Sequence, residues 1–127
     1  MLFAFGRWPL REIRMDDAMK RKILALLDAH RIMTIATLRP DGWPQTTIVG
    51  YANRGFELVF MIFRTGQKFA NIQKDNRISI AVAPEPENIR ELKAVYAGAH
   101  ASEITDETER QSCDLAAAKP RDAALPD

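Results

Sequence analysis

The chain has 127 residues, of which 46% are apolar and 28% charged, and its 18 Lys and Arg residues nearly balance 17 Asp and Glu residues. This length predicts a single domain over residues 1–127, and one cysteine with two histidines excludes disulfide-dependent and zinc-dependent cores. The net charge of +1 disfavours nucleic-acid binding. No apolar run approaches the roughly 20 residues of a membrane span, so a cytoplasmic protein is expected.

The predicted elements begin after an N-terminal extension, residues 1–14. Apolar residues at helical spacing predict a helix over residues 15–30, with Asp16 and Asp17 favourably placed at its start. Three β-rich segments follow, separated by two turns that contain glycine. These segments are residues 32–38, 45–52 and 56–63. They predict an antiparallel meander.

The second half of the chain predicts two helices and two more strands. A short helix starts at Gln67 with Thr65 as its cap, and the last helix covers residues 105–119, before a tail at 120–127. The strands are residues 77–83 and 93–104. Five short strands with peripheral helices predict a mainly β protein with a small barrel. A five-stranded sheet leaves one edge open, which a second copy of the chain is expected to cover.

The most informative stretch of the sequence is residues 61–77, where a strand ends, a Thr-Gly loop follows and a short helix begins. Basic residues outnumber acidic ones 6 to 3 over residues 32–83, which suits a small anionic ligand. Backbone N–H groups, the Thr65 hydroxyl, the Gln67 amide and the Lys68 ammonium converge where a strand meets a helix, as in a phosphate site. An ordinary strand-to-helix turn with a solvated lysine is the alternative, and composition alone favours that alternative.

Two segments, TLRPDGWPQTTIVGYANRGFELVF and QKFANIQKDNRISI, resemble the pyridoxamine 5'-phosphate oxidase-like family of FMN-binding split β-barrel proteins. The resemblance extends over residues 20–105. It includes the Asp-Gly-Trp-Pro turn at residues 41–44, Lys68, Asn71 and the Asp-Asn-Arg-Ile-Ser segment at residues 75–79, in matching order and spacing.

The resemblance implies an antiparallel FMN-binding split barrel, here lacking the family's usual last strand. It also implies a homodimer with FMN at its interface and a small-molecule substrate. The implied cofactor-binding residues are Thr46, Thr47, Met61, Ile62, Thr65, Gln67, Lys68 and Asn71. The sequence indicates no metal site and identifies no catalytic residue.

Departures from the family pattern leave the reaction open. Gly66 stands where the family usually has serine, and the arginine expected near Thr47 in enzymes that make pyridoxal phosphate is absent. The predicted function is therefore that of an FMN-dependent oxidoreductase acting on an unidentified small molecule. The alternatives are a non-catalytic flavin or haem carrier, with His100 as the candidate haem ligand, and a deazaflavin-dependent reductase.

Overall fold

The computed structural model describes residues 2–7 and 15–117, which form an antiparallel β-barrel with three α-helices. The strands are β1 (Leu2–Arg7), β2 (Ile32–Leu38), β3 (Pro44–Arg54), β4 (Glu57–Ile62), β5 (Arg77–Val82) and β6 (Val95–Glu103). The helices are α1 (Asp17–Ala29), α2 (Gln67–Lys74) and α3 (Glu107–Ala117), and a 3₁₀ turn spans Ile89–Glu91. The predicted mainly β class with peripheral helices is confirmed. The predicted tail, 120–127, lies outside the described residues.

The strands close into a barrel in the order β1-β4-β3-β2-β5-β6, with β6 returning to β1. The meander predicted from the sequence is confirmed as β2, β3 and β4. Two glycines in its turns have a positive φ, 84° at Gly42 and 60° at Gly55, a conformation that glycine adopts without strain. The predicted fourth and fifth strands are also confirmed, as β5 and β6.

The strand β1 lies within the predicted N-terminal extension and corrects one expectation, that the sheet keeps an open edge. β1 lies between β4 and β6, where Ala4 is paired with Phe60 on one side and with Glu103 on the other. Local patterning does not predict this strand, because both of its partners are distant in the sequence. The edge that a second copy was expected to cover is therefore closed within the chain.

Alternating side chains of the strands fill the barrel. Ile35 and Phe60 are almost completely buried among them. The other buried apolar side chains of this cluster on β2 to β5 are Met33, Val49, Tyr51, Leu58, Ile62, Ile78, Ile80 and Val82. Leu27 joins the cluster from α1, and the Tyr51 hydroxyl donates to its carbonyl oxygen at 2.7 Å. Burial raises the pKa of Tyr51, so this hydroxyl stays a donor at any physiological pH.

Two more helices cover the barrel surface. α3 packs on β3 and β4, where Val59, Ile104 and Cys113 form a second buried apolar cluster. α2 packs on the barrel through Ile72, which is buried, and Phe69, which is partly buried. No described helix has both the length and the apolar character that crossing a bilayer requires.

Candidate functional site

The predicted phosphate site lies at the turn from β4 into α2. The backbone N–H of Gly66 donates to the carbonyl oxygen of Phe63 at 3.0 Å and closes this turn. Gly66 occupies the N-cap position, so the prediction of Thr65 as the cap is wrong, and no described side chain caps this helix start. The N–H groups of a first helical turn have no partner within the helix and form the positive end of its dipole. The turn therefore offers hydrogen-bond donors to an anion.

Glycine at position 66 is explained by close backbone packing. A Cβ atom there would lie 3.2 Å from the carbonyl oxygen of Phe63, which is closer than most such contacts. A serine at this position would require the turn to shift by a few tenths of an ångström. Thr65, directly before it, has an exposed side chain and supplies the neighbouring hydroxyl.

Lys68 differs from Arg64, Arg77 and Lys74, three other cations of the basic middle segment. Arg64 forms an ion pair of 2.6 Å with Glu103, and Arg77 forms one of 2.7 Å with Asp75. Lys74 approaches the carbonyl oxygen of Pro40 at 3.5 Å. Lys68 is half-buried, and its ammonium has no hydrogen-bond or ion-pair partner among the described residues. Its positive charge is thus available to a ligand beside the start of α2.

A buried amide cluster connects α2 to the end of the barrel. Asn71 is fully buried, and its Nδ2 donates to Thr37 Oγ1 at 3.0 Å and to Gln45 Oε1 at 2.9 Å. Its Oδ1 accepts a hydrogen bond of 2.8 Å from Gln67 Nε2. The Asn71 side chain, expected to touch the cofactor, is therefore fully engaged within the chain.

The predicted site residues on β3 and β4 face opposite sides of the barrel wall. Thr46 is exposed on the outside, whereas Thr47 is paired with the buried Ile35 and faces the interior. Met61 is 41% exposed and lines an outer groove of about 210 Å³, whereas Ile62 is only 4% exposed and belongs to the core. The structure thus leaves Thr46, Met61, Thr65 and Lys68 accessible. Gln67 is exposed as well, with its amide bonded to Asn71, whereas Thr47, Ile62 and Asn71 lie in or against the barrel.

The outer face of β2, β3, β5 and β6 forms a wide groove with a floor of small residues. Its volume is about 560 Å³. The outward-facing small side chains that line it are Thr34, Ala36, Thr46, Ser79 and Ala81, with Gly98 among them. Large apolar side chains stand exposed on the same face, with Ile48 at 68% and Tyr96 at 73%. An exposed apolar surface of this kind is typical of a ligand or partner contact.

His100, the candidate haem ligand, lies on the outward face of β6, paired with Arg77. Its Nδ1 is 3.1 Å from Asn76 Oδ1, and the side chain is exposed. Hydrogen bonds from Arg77 lower the pKa of the neighbouring Asp75 to about 2, so this carboxylate stays charged near the imidazole. Within the described residues, no group of three or more His, Cys, Asp or Glu side chains is arranged to hold a metal ion.

The family model described as pyridoxamine 5'-phosphate oxidase matches residues 19–124, most of the chain. The chain belongs to the pyridoxamine 5'-phosphate oxidase family. This result confirms the family resemblance of the Asp-Gly-Trp-Pro turn and the Lys68 segment. No curated protein matches the sequence.

Solved structures show that the fold of this family member is shared widely. A conserved hypothetical protein from Mycobacterium tuberculosis superposes with a TM-score of 0.74 at 21% identity, over 95% of this chain and 73% of that one. A haem-binding protein from Mycobacterium smegmatis gives 0.66 at 22% identity, over 82% of this chain and 43% of that one. An FAD-binding protein from Mesorhizobium loti gives a TM-score of 0.62 at 22% identity, over 91% of this chain and 74% of that one. Identities this low establish the fold alone.

Sequence reasoning missed two residues that organise the site of this family member, Thr37 and Gln45. Both face the interior, where they are paired across β2 and β3 and receive the amide hydrogens of Asn71. The alternation in β2 carried a usable signal. Thr37 follows Met33 and Ile35 at strand spacing, so a polar group at the third inward position predicts a buried hydrogen-bond partner.

Proposed function

We propose that this chain binds FMN, with the phosphate at the start of α2, and acts as an FMN-dependent oxidoreductase on a small molecule. The observation that carries the proposal is the ammonium of the half-buried Lys68, which has no partner among the described residues and lies beside a helix start that no described side chain caps. An FMN phosphate carries about two negative charges, which such a site neutralises and hydrogen-bonds. Membership of the family and the FAD-binding neighbour support a flavin.

The accessible predicted residues are assigned to direct contacts. Lys68, Thr65 and the first N–H groups of α2 hold the phosphate, while Thr46 and Met61 contact the rest of the cofactor from the outer face. The other predicted residues act from behind the site. Ile62 and Thr47 shape the barrel wall, and Gln67 and Asn71 join α2 to the barrel. When bound, FMN supplies the electron transfer, and the protein supplies position and charge.

The wide groove on the outer face of β2, β3, β5 and β6 is proposed to become enclosed when two copies associate. Ile48 and Tyr96 are large and exposed, and the small residues between them leave a volume of about 560 Å³ at the surface. A homodimer that buries this face would cover the apolar side chains and shield a cofactor. Replacing Ile48 by lysine is expected to shift the molar mass in solution from dimer to monomer. An unchanged mass would argue against this interface.

FMN titration tests the cofactor proposal directly. Purified protein is expected to quench flavin fluorescence, and K68A to weaken FMN binding by about tenfold or more, because a charge-assisted hydrogen bond is lost. K74A is the matched control, since Lys74 ends the same helix and contacts only Pro40 among the described residues. Equal FMN affinities for wild type and K68A would show that Lys68 does not bind the phosphate.

Turnover separates an enzyme from a carrier. The FMN-loaded protein is expected to be reduced anaerobically by a nicotinamide cofactor and reoxidised by an added acceptor. Tight FMN binding with neither half-reaction would support a flavin carrier instead. A parallel titration with a deazaflavin would identify the deazaflavin reductase if that compound binds more tightly than FMN.

Haem binding without catalysis is the second candidate function. His100 favours it, because its side chain is exposed on the groove side of the sheet and its Nε2 has no hydrogen-bond partner among the described residues. The haem-binding structural neighbour adds support. Addition of haemin would then give a Soret band that shifts in H100A. A spectrum identical in wild type and H100A would exclude His100 as the ligand.

A further inference from the structure

Asn71 holds α2 against one particular pair of barrel residues. Its Nδ2 uses both hydrogens, one to Thr37 on β2 and one to Gln45 on β3, and these two residues are directly paired in the sheet. Such a two-point attachment fixes the position of the helix both across the sheet and along it. The side chain is fully buried, so water does not compete for these bonds.

The same amide also extends the attachment to the first turn of α2. Asn71 Oδ1 accepts from Gln67, the first residue of the helix, at 2.8 Å. Helices of eight residues have little stability of their own, and this one lacks a side-chain cap, so tertiary contacts determine where its start lies. Lys68, next to Gln67, is located by the same contacts.

We propose that Asn71 is a positioning residue that sets how much the phosphate contributes to cofactor affinity, without touching the cofactor. This inference rests on the proposed FMN function. Anion binding at a helix start depends on N–H groups and an ammonium that converge on one point, and a displacement of about 1 Å weakens such a site strongly. Asn71 joins the first turn of α2 to Thr37 and Gln45. Loss of its amide would therefore let the N–H groups and the ammonium move away from their common point, while the outer face of the sheet stays unchanged.

The ratio of the riboflavin Kd to the FMN Kd isolates the phosphate contribution, because riboflavin lacks only the phosphate. Wild type is expected to bind FMN much more tightly than riboflavin. N71L removes the amide while keeping the branched shape of the side chain, and it is expected to lower this ratio by about tenfold, through weaker FMN binding with unchanged riboflavin binding. The control is V82A in β5, which creates a buried cavity in the barrel core at a residue that takes no part in the Asn71 hydrogen bonds.

V82A is expected to lower the free energy of unfolding but to keep the wild-type ratio. A general loss of stability reduces both affinities together and so leaves the ratio unchanged. A second pair of variants at Thr37 addresses a failure of N71L to fold. T37V removes one acceptor of the Asn71 amide and is expected to reduce the ratio, whereas T37S keeps the hydroxyl and is expected to retain it.

A double variant tests whether Asn71 acts through Lys68. If it does, N71L adds little to the loss caused by K68A, and the two effects are strongly non-additive. A wild-type preference for FMN that persists in both N71L and T37V would overturn the positioning role alone. A wild type that binds FMN no more tightly than riboflavin would overturn the phosphate site and this inference with it.

Discussion

Thr47 carries a hydroxyl that pairs with no described residue, and a polar-to-apolar substitution there should stabilise the barrel. Its Oγ1 is shielded from solvent and has no hydrogen-bond partner among the described residues. Leaving such a group unpaired costs about 1–3 kcal/mol, and valine has nearly the same shape as threonine with a methyl group in place of the hydroxyl. T47V is therefore expected to raise the free energy of unfolding by about 1 kcal/mol.

The same substitution at Thr37 is expected to act in the opposite direction. Thr37 Oγ1 accepts from the buried Asn71 Nδ2 at 3.0 Å, so T37V leaves that amide hydrogen unpaired and lowers stability by about 1–3 kcal/mol. Urea unfolding measures both effects. With a slope of about 1–3 kcal/mol per molar urea, the midpoint should rise by about 0.5 M in T47V and fall by at least that much in T37V. A urea midpoint that falls in T47V, or does not change in T37V, would refute the energetic roles given to the Thr47 hydroxyl and to the Thr37–Asn71 hydrogen bond.

Further predictions concern three sites outside this cluster. Arg77 holds the pKa of Asp75 near 2 instead of the ordinary 3.8, so the ion pair stabilises the fold at neutral pH and its contribution fades as pH falls from 3.8 towards about 2. An NMR titration should show that midpoint, and R77Q should return it towards 3.8. Y51F removes the 2.7 Å bond to the Leu27 carbonyl and should cost about 1 kcal/mol in thermal or urea unfolding; no loss would mean that the bond is energetically neutral. Cys113 is completely buried, so it should resist thiol reagents until the protein unfolds, and rapid labelling of native protein would contradict this placement.

The central strands were predictable because their information is local. The strands at 32–38 and 77–82 are short segments rich in β-branched and small residues, and glycine turns separate the members of the meander. β1 was not predictable in the same way. Its six residues gain their structure by pairing with β4 and β6, and nothing within Leu2–Arg7 identifies those partners.

The local structure around the candidate site was predictable, but the direction of every side chain was not. Lys68 and the start of α2 are near the predicted place, because a strand, a short turn and a helix fix them within a few residues. Met61 and Ile62 were both expected to border a cofactor, yet neighbours in a strand face opposite sides, and only Met61 faces outward. The hydrogen bonds of Asn71 could not be predicted from the sequence, since its partners on β2 and β3 are far away along the chain.

The closing strand has a consequence for synthesis on the ribosome. β1 is the first described strand to emerge, yet one of its two neighbours, β6, is the last. The β1–β6 ladder therefore forms only after β6 has been made, and until then β1 has one unpaired edge. Contacts so distant in sequence slow folding, and exposed strand edges favour aggregation of incomplete chains. Barrel closure is thus expected to be the late, vulnerable step in the biogenesis of this protein.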